Sequence, residues 1–118
     1  MLRILKLSIL ALGLMLIAIN PVVNPAVAAT VELDETFMSN LDNIALGKKL
    51  FQKRCARCHG QRACPGKAPK LQPAKYKPEF VYKRITKGFR GMPSWKRRFN
   101  EKQRKSLTAY VMSKGFTN

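Results

Sequence analysis

The feature that most constrains this chain is a stretch of five residues, Cys55-Ala56-Arg57-Cys58-His59, in which two thiols precede an imidazole. If the stretch is helical, the thiols stand about one turn apart on one face. Thiols at that spacing can bond the two vinyl groups on one edge of a haem, and the next side chain then lies under the ring, where its imidazole can bind iron. The pattern therefore predicts one haem c, attached covalently through Cys55 and Cys58, with His59 as an iron ligand.

Two other kinds of site use similar residues. A zinc site could draw on these three side chains and Cys64, but structural zinc sites usually pair two ligand clusters across an intervening segment. Here all four candidates lie within ten residues, and two of them are adjacent. A thioredoxin-like redox pair needs a flanking strand pattern that this sequence lacks. Haem attachment is therefore the favoured interpretation.

Residues 1–29 have the pattern of an export signal. Arg3 and Lys6 form a positive start, and an apolar run follows from Leu7 to Ile19. Ala26-Val27-Ala28 then fits a signal cleavage site. Because the apolar run is shorter than the roughly 20 residues that span a bilayer, a cleaved signal is favoured over an uncleaved anchor. We therefore expect export to a periplasm or a thylakoid lumen.

The remainder of the chain is small and very basic. A leader over residues 30–41 and one domain over 42–118 are expected. A core of that size usually needs a disulfide, a metal or a cofactor, and three cysteines cannot form a complete disulfide framework. The whole chain has 23 Lys and Arg against 6 Asp and Glu, a formal charge of +17. A compact body this basic repels itself, so an acidic partner protein or an anionic membrane surface would explain the charge. No nucleic-acid-binding motif appears, and export removes the usual nucleic-acid targets.

The apolar periodicity predicts three helices and no strand, with a loosely ordered leader before them. Glycines and prolines between the cysteines and the second helix indicate a loop there. The three helices offer too little apolar surface for a bundle, which again implies that a cofactor fills the middle. The expected helices run from Asp42 or Asn43 to Arg54, from Pro78 to Gly88, and from the cap Asn100 to Gly115.

Met92 is the strongest candidate for a second iron ligand. His59 is the only histidine, so a second imidazole would have to come from another molecule. Methionine is the usual alternative and raises the reduction potential. Met92 lies in a glycine-rich turn where Gly91 permits close approach to a flat ligand, whereas Met38 lies in the leader and Met112 beside the packing stripe of the last helix.

With these features together, residues 42–116 resemble a class I cytochrome c of the single-haem bacterial or photosynthetic kind. The resemblance implies an all-α cytochrome c fold, with three to four helices wrapped around one haem. It also implies that Gly47 and Phe51 on the first helix cross Leu107 and Tyr110 on the last one.

The same resemblance implies roles for the loops. The Pro69 carbonyl would accept the N–H of His59, Leu71 would pack on the haem, and the Met92 turn would supply the distal ligand. Cys64 has no counterpart in the family's shared pattern. It could be a buried small side chain, which we favour, a thiol that links to a partner, or a displaced iron ligand.

The expected function is one-electron transfer by a monomer, without catalytic residues and therefore not as an enzyme. The expected partners are acidic surfaces on an oxidase, a photosystem, a cytochrome complex or a dehydrogenase. The alternative is a haem protein with an open or labile sixth position that acts as a peroxidase or binds gas ligands, against which Met92 argues. The cations expected to dock the partner follow the Met92 turn: Lys96, Arg97, Arg98, Lys102, Arg104 and Lys105.

Overall fold

The computed structural model describes residues 32–61 and 67–116, so the export signal and Cys64 lie outside the described residues. Within those two ranges the chain is helical and contains no β-strand, which confirms the all-α prediction. No helix in the same ranges is long and apolar enough to cross a membrane. The α-helices are α1 (Glu35–Ser39), α2 (Leu41–Leu50), α3 (Ala56–His59), α4 (Pro78–Lys87) and α5 (Glu101–Met112). A π-helical turn (Phe51–Cys55) joins α2 to α3, and 3₁₀ turns cover Pro73–Lys75 and Lys114–Phe116.

The N-terminal part of the domain is more ordered than the sequence predicted. The helix predicted to begin at Asp42 or Asn43 begins at Leu41, because Asn40 is its cap. The Asn40 side-chain oxygen accepts from the backbone N–H of Asp42 at 3.0 Å and of Asn43 at 3.1 Å. The expectation of a loosely ordered leader is also wrong for residues 35–39, which form α1. A second cap residue, Asp34, starts this helix, and two caps six residues apart make two short helices in succession.

The first predicted helix also extends past Arg54. The backbone N–H of Ala56 bonds to the carbonyl of Phe51, five residues earlier, and this π-type bond carries the helical path on into α3. Gly60 ends α3 with a φ of 76°, a conformation that favours glycine. The cysteines and the histidine therefore stand on continuous helical backbone.

The second and last helices follow the predicted pattern closely. Pro78 stands in the first turn of α4, and Gly88 ends that helix with a φ of 73°. Asn100 and Gln103 form a reciprocal capping box at the start of α5, with both bonds at 2.9 Å. α5 ends at Met112 rather than at Gly115, since Ser113 leaves the helical conformation at ψ 151°.

The crossing of α2 and α5 is present at the residues that the resemblance implied. Gly47 is buried, and a Cβ placed on it would lie 2.8 Å from the Tyr110 Cβ and overlap the Ser106 carbonyl. The ring of Phe51 packs edge-on against Tyr110 at 5.5 Å and against Phe116 at 5.1 Å. The glycine thus allows two helix backbones to touch, and the aromatic cluster beside it anchors both helices.

Candidate functional site

A largely apolar cavity of about 570 Å³ is bounded by the π-helical turn, α3, α4, α5 and two loop segments, residues 67–76 and 89–95. Its size and lining suit a cofactor or small-molecule site. The cavity wall brings together every site residue that the sequence predicted: Cys55, Cys58, His59, Pro69, Leu71 and Met92.

The two thiols occupy the junction of the π-helical turn and α3. Cys55 is half-buried and Cys58 is exposed. Burial, and to a smaller extent the neighbouring Cys58, raises the pKa of the Cys55 thiol to about 12. Catalytic redox cysteines need a lowered pKa, because the thiolate is the nucleophile. A raised pKa makes Cys55 a poor redox nucleophile, and the place of the two thiols on the cavity wall suits attachment of a large apolar group.

His59 is the last residue of α3 and is half-buried at the cavity wall. Burial lowers the pKa of the His59 imidazole, and the nearby carbonyl of Pro69 opposes that effect in part. The imidazole is therefore neutral at pH 7, which is the form that binds a metal. Its Nδ1 is buried and has no fully formed hydrogen bond. The Pro69 carbonyl is thus close to the imidazole but does not reach hydrogen-bonding geometry.

A backbone contact that the sequence did not indicate holds the Pro69 loop against α3. The N–H of Ala68 donates to the carbonyl of Cys58 at 2.9 Å. This bond ties the residue before Pro69 to the residue before His59. No side-chain pattern could have identified it, because both partners are main-chain atoms.

The Met92 turn folds back on the end of α4. Phe89 and Met92 exchange two backbone hydrogen bonds of 3.0 and 2.9 Å, with Arg90 in the left-handed region at φ 51°. A Cβ on Gly88 would overlap the Met92 carbonyl, so Gly88 is the glycine that the turn requires. A Cβ on Gly91 would meet no protein atom. Gly91, which the sequence singled out for close approach to a flat ligand, also lines the cavity.

Two further hydrogen bonds fasten the segment after Met92 to α4. The Ser94 hydroxyl donates to the Thr86 carbonyl at 2.7 Å, and the Trp95 N–H donates to the Ile85 carbonyl at 3.1 Å. Met92 is half-buried and, of the methionines in the described ranges, it alone lines the cavity. His59 and Met92 therefore share one cavity, as two ligands of one iron would require.

The cations of the cavity wall differ from the cluster that the sequence singled out. Arg84 and Arg90 line the cavity, and Arg84 stacks on the exposed rings of Phe89 at 4.0 Å and Phe80 at 4.9 Å. The i, i+4 spacing of Phe80 and Arg84 on α4 was a signal available in the sequence. The remaining cations on the wall are Arg54, Lys67 and Lys70.

The cations predicted to dock a partner are not all exposed. Lys96, Arg97 and Arg98 are exposed, but they do not contribute to the cavity wall. Arg104 is buried, with 9% of its surface exposed, and cannot contact a partner in the way predicted. Its guanidinium instead binds groups inside the protein.

The residues present fit a haem c. The cavity offers an apolar interior, two thiols on adjacent helical turns, a neutral imidazole and a thioether. Within the described ranges no group of three or more His, Cys, Asp or Glu side chains is placed to bind a metal ion, and Cys64 lies outside them.

Comparison with known proteins gives one family. The profile of the family described as cytochrome c oxidase, cbb3-type, subunit III matches residues 42–111. No curated protein sequence matches the chain.

Similar solved structures carry the same kind of fold. Cytochrome cL from the marine bacterium Methylophaga aminisulfidivorans is 23% identical at a TM-score of 0.57, over 64% of this chain and 55% of that one. The c-type cytochrome KustC0563 is 26% identical at a TM-score of 0.54, over 61% of this chain and 98% of that one. A reducing HAO-like protein complex of Kuenenia stuttgartiensis is 27% identical at a TM-score of 0.55, over 62% of this chain and 44% of that one. The chain thus spans about half the length of the first of these proteins and nearly all of the second.

Proposed function

The chain belongs to the c-type cytochrome family described as cytochrome c oxidase, cbb3-type, subunit III, with a covalently bound haem c, and we propose that it is a one-electron carrier whose iron would be bound by His59 and Met92. When bound, the cofactor supplies the one-electron change between Fe(II) and Fe(III). The observation that carries the proposal is the presence of Cys55, Cys58, His59 and Met92 on the wall of one cavity.

The residues of the chain have separate tasks in this proposal. Cys55 and Cys58 hold the cofactor, and His59 offers a neutral nitrogen because burial lowers its pKa. Met92 offers a soft sulfur that favours the reduced state. Leu71 and Trp95 belong to the cavity wall and would supply apolar surface against the cofactor.

Docking to an acidic redox partner is part of the same proposal. Arg84 and Arg90 line the cavity beside the exposed rings of Phe80 and Phe89, so charge and apolar surface occur together at the cavity. Electrostatic attraction to an acidic surface would raise the association rate. An oxidase, a photosystem, a cytochrome complex or a dehydrogenase would be a suitable partner for a monomeric carrier. The signal-like residues 1–29 support a place in the periplasm or the thylakoid lumen.

Replacement of Met92 tests the proposed ligation. The oxidised protein should show the weak far-red band of a sulfur–iron bond, and Met92→Ala should abolish it, lower the potential and admit cyanide or carbon monoxide. Met112→Ala is the control, because Met112 packs against the core away from the cavity wall and should keep the band. A wild-type protein that lacks the band and binds carbon monoxide freely would favour the peroxidase or gas-binding alternative.

A further inference from the structure

Arg104 is a buried cation whose role the family assignment leaves unexplained. It lies in the first turns of α5, and only 9% of its surface is exposed. Burying a charge is unfavourable unless the charge is paired or fully hydrogen-bonded. Its two terminal nitrogens are hydrogen-bonded, whereas its buried Nε has no hydrogen-bond partner within the described residues. The groups that bond the terminal nitrogens therefore indicate what the guanidinium does.

The Arg104 guanidinium donates hydrogen bonds to two different parts of the fold. One terminal nitrogen donates to the Phe99 carbonyl at 2.5 Å and to the Lys96 carbonyl at 3.3 Å. The other donates to the Tyr82 hydroxyl at 3.2 Å, and the guanidinium carbon lies 5.7 Å from the centre of the same ring. Arg104 thus joins α5 both to α4 and to the turn that precedes α5.

The turn before α5, residues 96–99, directly continues the segment that contains Met92. The rings of Trp95 and Phe99 stack at 5.1 Å, and the Trp95 side chain lines the cavity together with Met92. Ser94 and Trp95 are bonded to the carbonyls at the end of α4. The Arg104 bonds hold the other end of the same segment, at Lys96 and Phe99.

We propose that Arg104 is a positioning residue for Met92: its guanidinium clamps residues 96–99 between α4 and α5 and so holds the preceding methionine turn against the cavity. The proposal rests on the assignment of Met92 as an iron ligand. A neutral side chain could fill the same space. It would not donate hydrogen bonds to two carbonyl oxygens and to the Tyr82 hydroxyl from one rigid planar group.

Opening of the Met92 turn is measurable in the holoprotein without any redox partner. Imidazole binds the oxidised iron only when the sulfur leaves, so its apparent affinity reports how often the turn opens. Hydrogen bonds to a charged group are among the stronger ones in proteins, and loss of three of them in Arg104→Gln should raise the imidazole affinity about tenfold to a hundredfold.

Further variants separate positioning from general stability. Arg104→Lys keeps the charge without the planar fork and should restore only part of the wild-type behaviour. Tyr82→Phe removes one acceptor and should raise the imidazole affinity a few-fold, so the proposal remains testable if Arg104→Gln does not fold. Phe116→Leu is the control for a weakened core, because Phe116 packs at the α2 and α5 crossing, away from the Met92 turn. It should lower the stability with little change in imidazole binding.

The outcomes distinguish this proposal from the ligand assignment. A wild-type protein without the far-red band refutes Met92 ligation, and the role of Arg104 with it. If the band is present, unchanged imidazole binding in the folded Arg104→Gln or Tyr82→Phe protein refutes the positioning role alone. An equal change in Phe116→Leu would also overturn it, since general destabilisation would then be sufficient.

Discussion

Replacing Gly47 with alanine should weaken the crossing of α2 and α5 although alanine is the better helix former. The added methyl group would lie 2.8 Å from the Tyr110 Cβ and would overlap the Ser106 carbonyl. Neither obstacle is the end of a flexible side chain, so the two helices must move apart. That movement would disturb the contact of Phe51 with Tyr110, which packs at 5.5 Å.

The expected magnitude follows from two opposing terms. Alanine in place of glycine favours the helix by about 1 kcal/mol. Overpacking of a core by a methyl group typically costs about 1–3 kcal/mol, and a clash with backbone belongs at the upper end of that range. We therefore expect the free energy of unfolding to fall by about 2 kcal/mol. With a urea m-value of about 1–2 kcal/mol/M for a domain of this size, the midpoint should fall by roughly 1–2 M.

Urea unfolding of the holoprotein, followed by circular dichroism, measures this change. Gly115→Ala is the matched control, because a Cβ there would meet nothing within 4 Å, and its midpoint should stay near that of the wild type. Ala45→Gly, at an exposed site in α2, measures how much the helix propensity of alanine over glycine changes the free energy of unfolding within the same helix. If Gly47→Ala unfolds at or above the wild-type midpoint, the close approach of the two helices is not what this glycine provides.

Three other predictions test the cofactor attachment, the basic surface and the capping box. Acidified organic solvent should leave the haem on the wild-type polypeptide, and extraction of the haem would contradict covalent binding. Cys55→Ser should sharply lower the yield of holoprotein, whereas Cys64→Ser should leave haem attachment intact. Electron transfer to an acidic partner should slow steeply as ionic strength rises from about 0.01 to 0.15 M, where the screening length falls from roughly 30 to 8 Å. Charge reversal of three exposed cations, Lys96, Arg97 and Arg98, should slow electron transfer further without changing the optical spectrum. A rate that changes neither with ionic strength nor with charge reversal would mean that the basic surface does not dock the partner. Asn100→Ala removes the side-chain oxygen that accepts from the Gln103 N–H and should lower the free energy of unfolding by about 1 kcal/mol in urea titrations. An unchanged free energy of unfolding would show that the cap contributes little.

Local features of the fold were predictable wherever a few neighbouring residues determine them. Pro78 and Gly88 bound α4 as predicted, and Asn100 with Gln103 starts α5. Such signals work because caps and helix ends depend on backbone groups within one turn. The start of α2 was missed by one or two residues, since Asn40, Asp42 and Asn43 are all good caps and only the folded chain shows which one is used.

Arg104 shows where prediction from sequence stops. In the sequence it belongs to a run of cations after the Met92 turn, and all of them look equally exposed. In the structure Arg104 is buried while Arg97 and Arg98 remain at the surface. The difference arises from Tyr82, which is 22 residues away in the chain and accepts one of the guanidinium bonds.

The sequence by itself determined the chemistry of the site. Haem attachment needs two thiols at fixed spacing, which Cys55 and Cys58 provide, and iron binding needs an adjacent imidazole, which His59 provides. Tertiary structure alone decided that Met92 shares a cavity with His59, 33 positions away along the chain, and that Met38 and Met112 do not. The physical reason is that spacing along a helix is set by local backbone geometry, whereas a cavity wall is assembled from distant segments. Which segments meet there depends on the close contact of α2 and α5 at Gly47 and on hydrogen bonds between main-chain atoms, such as that from Trp95 to Ile85.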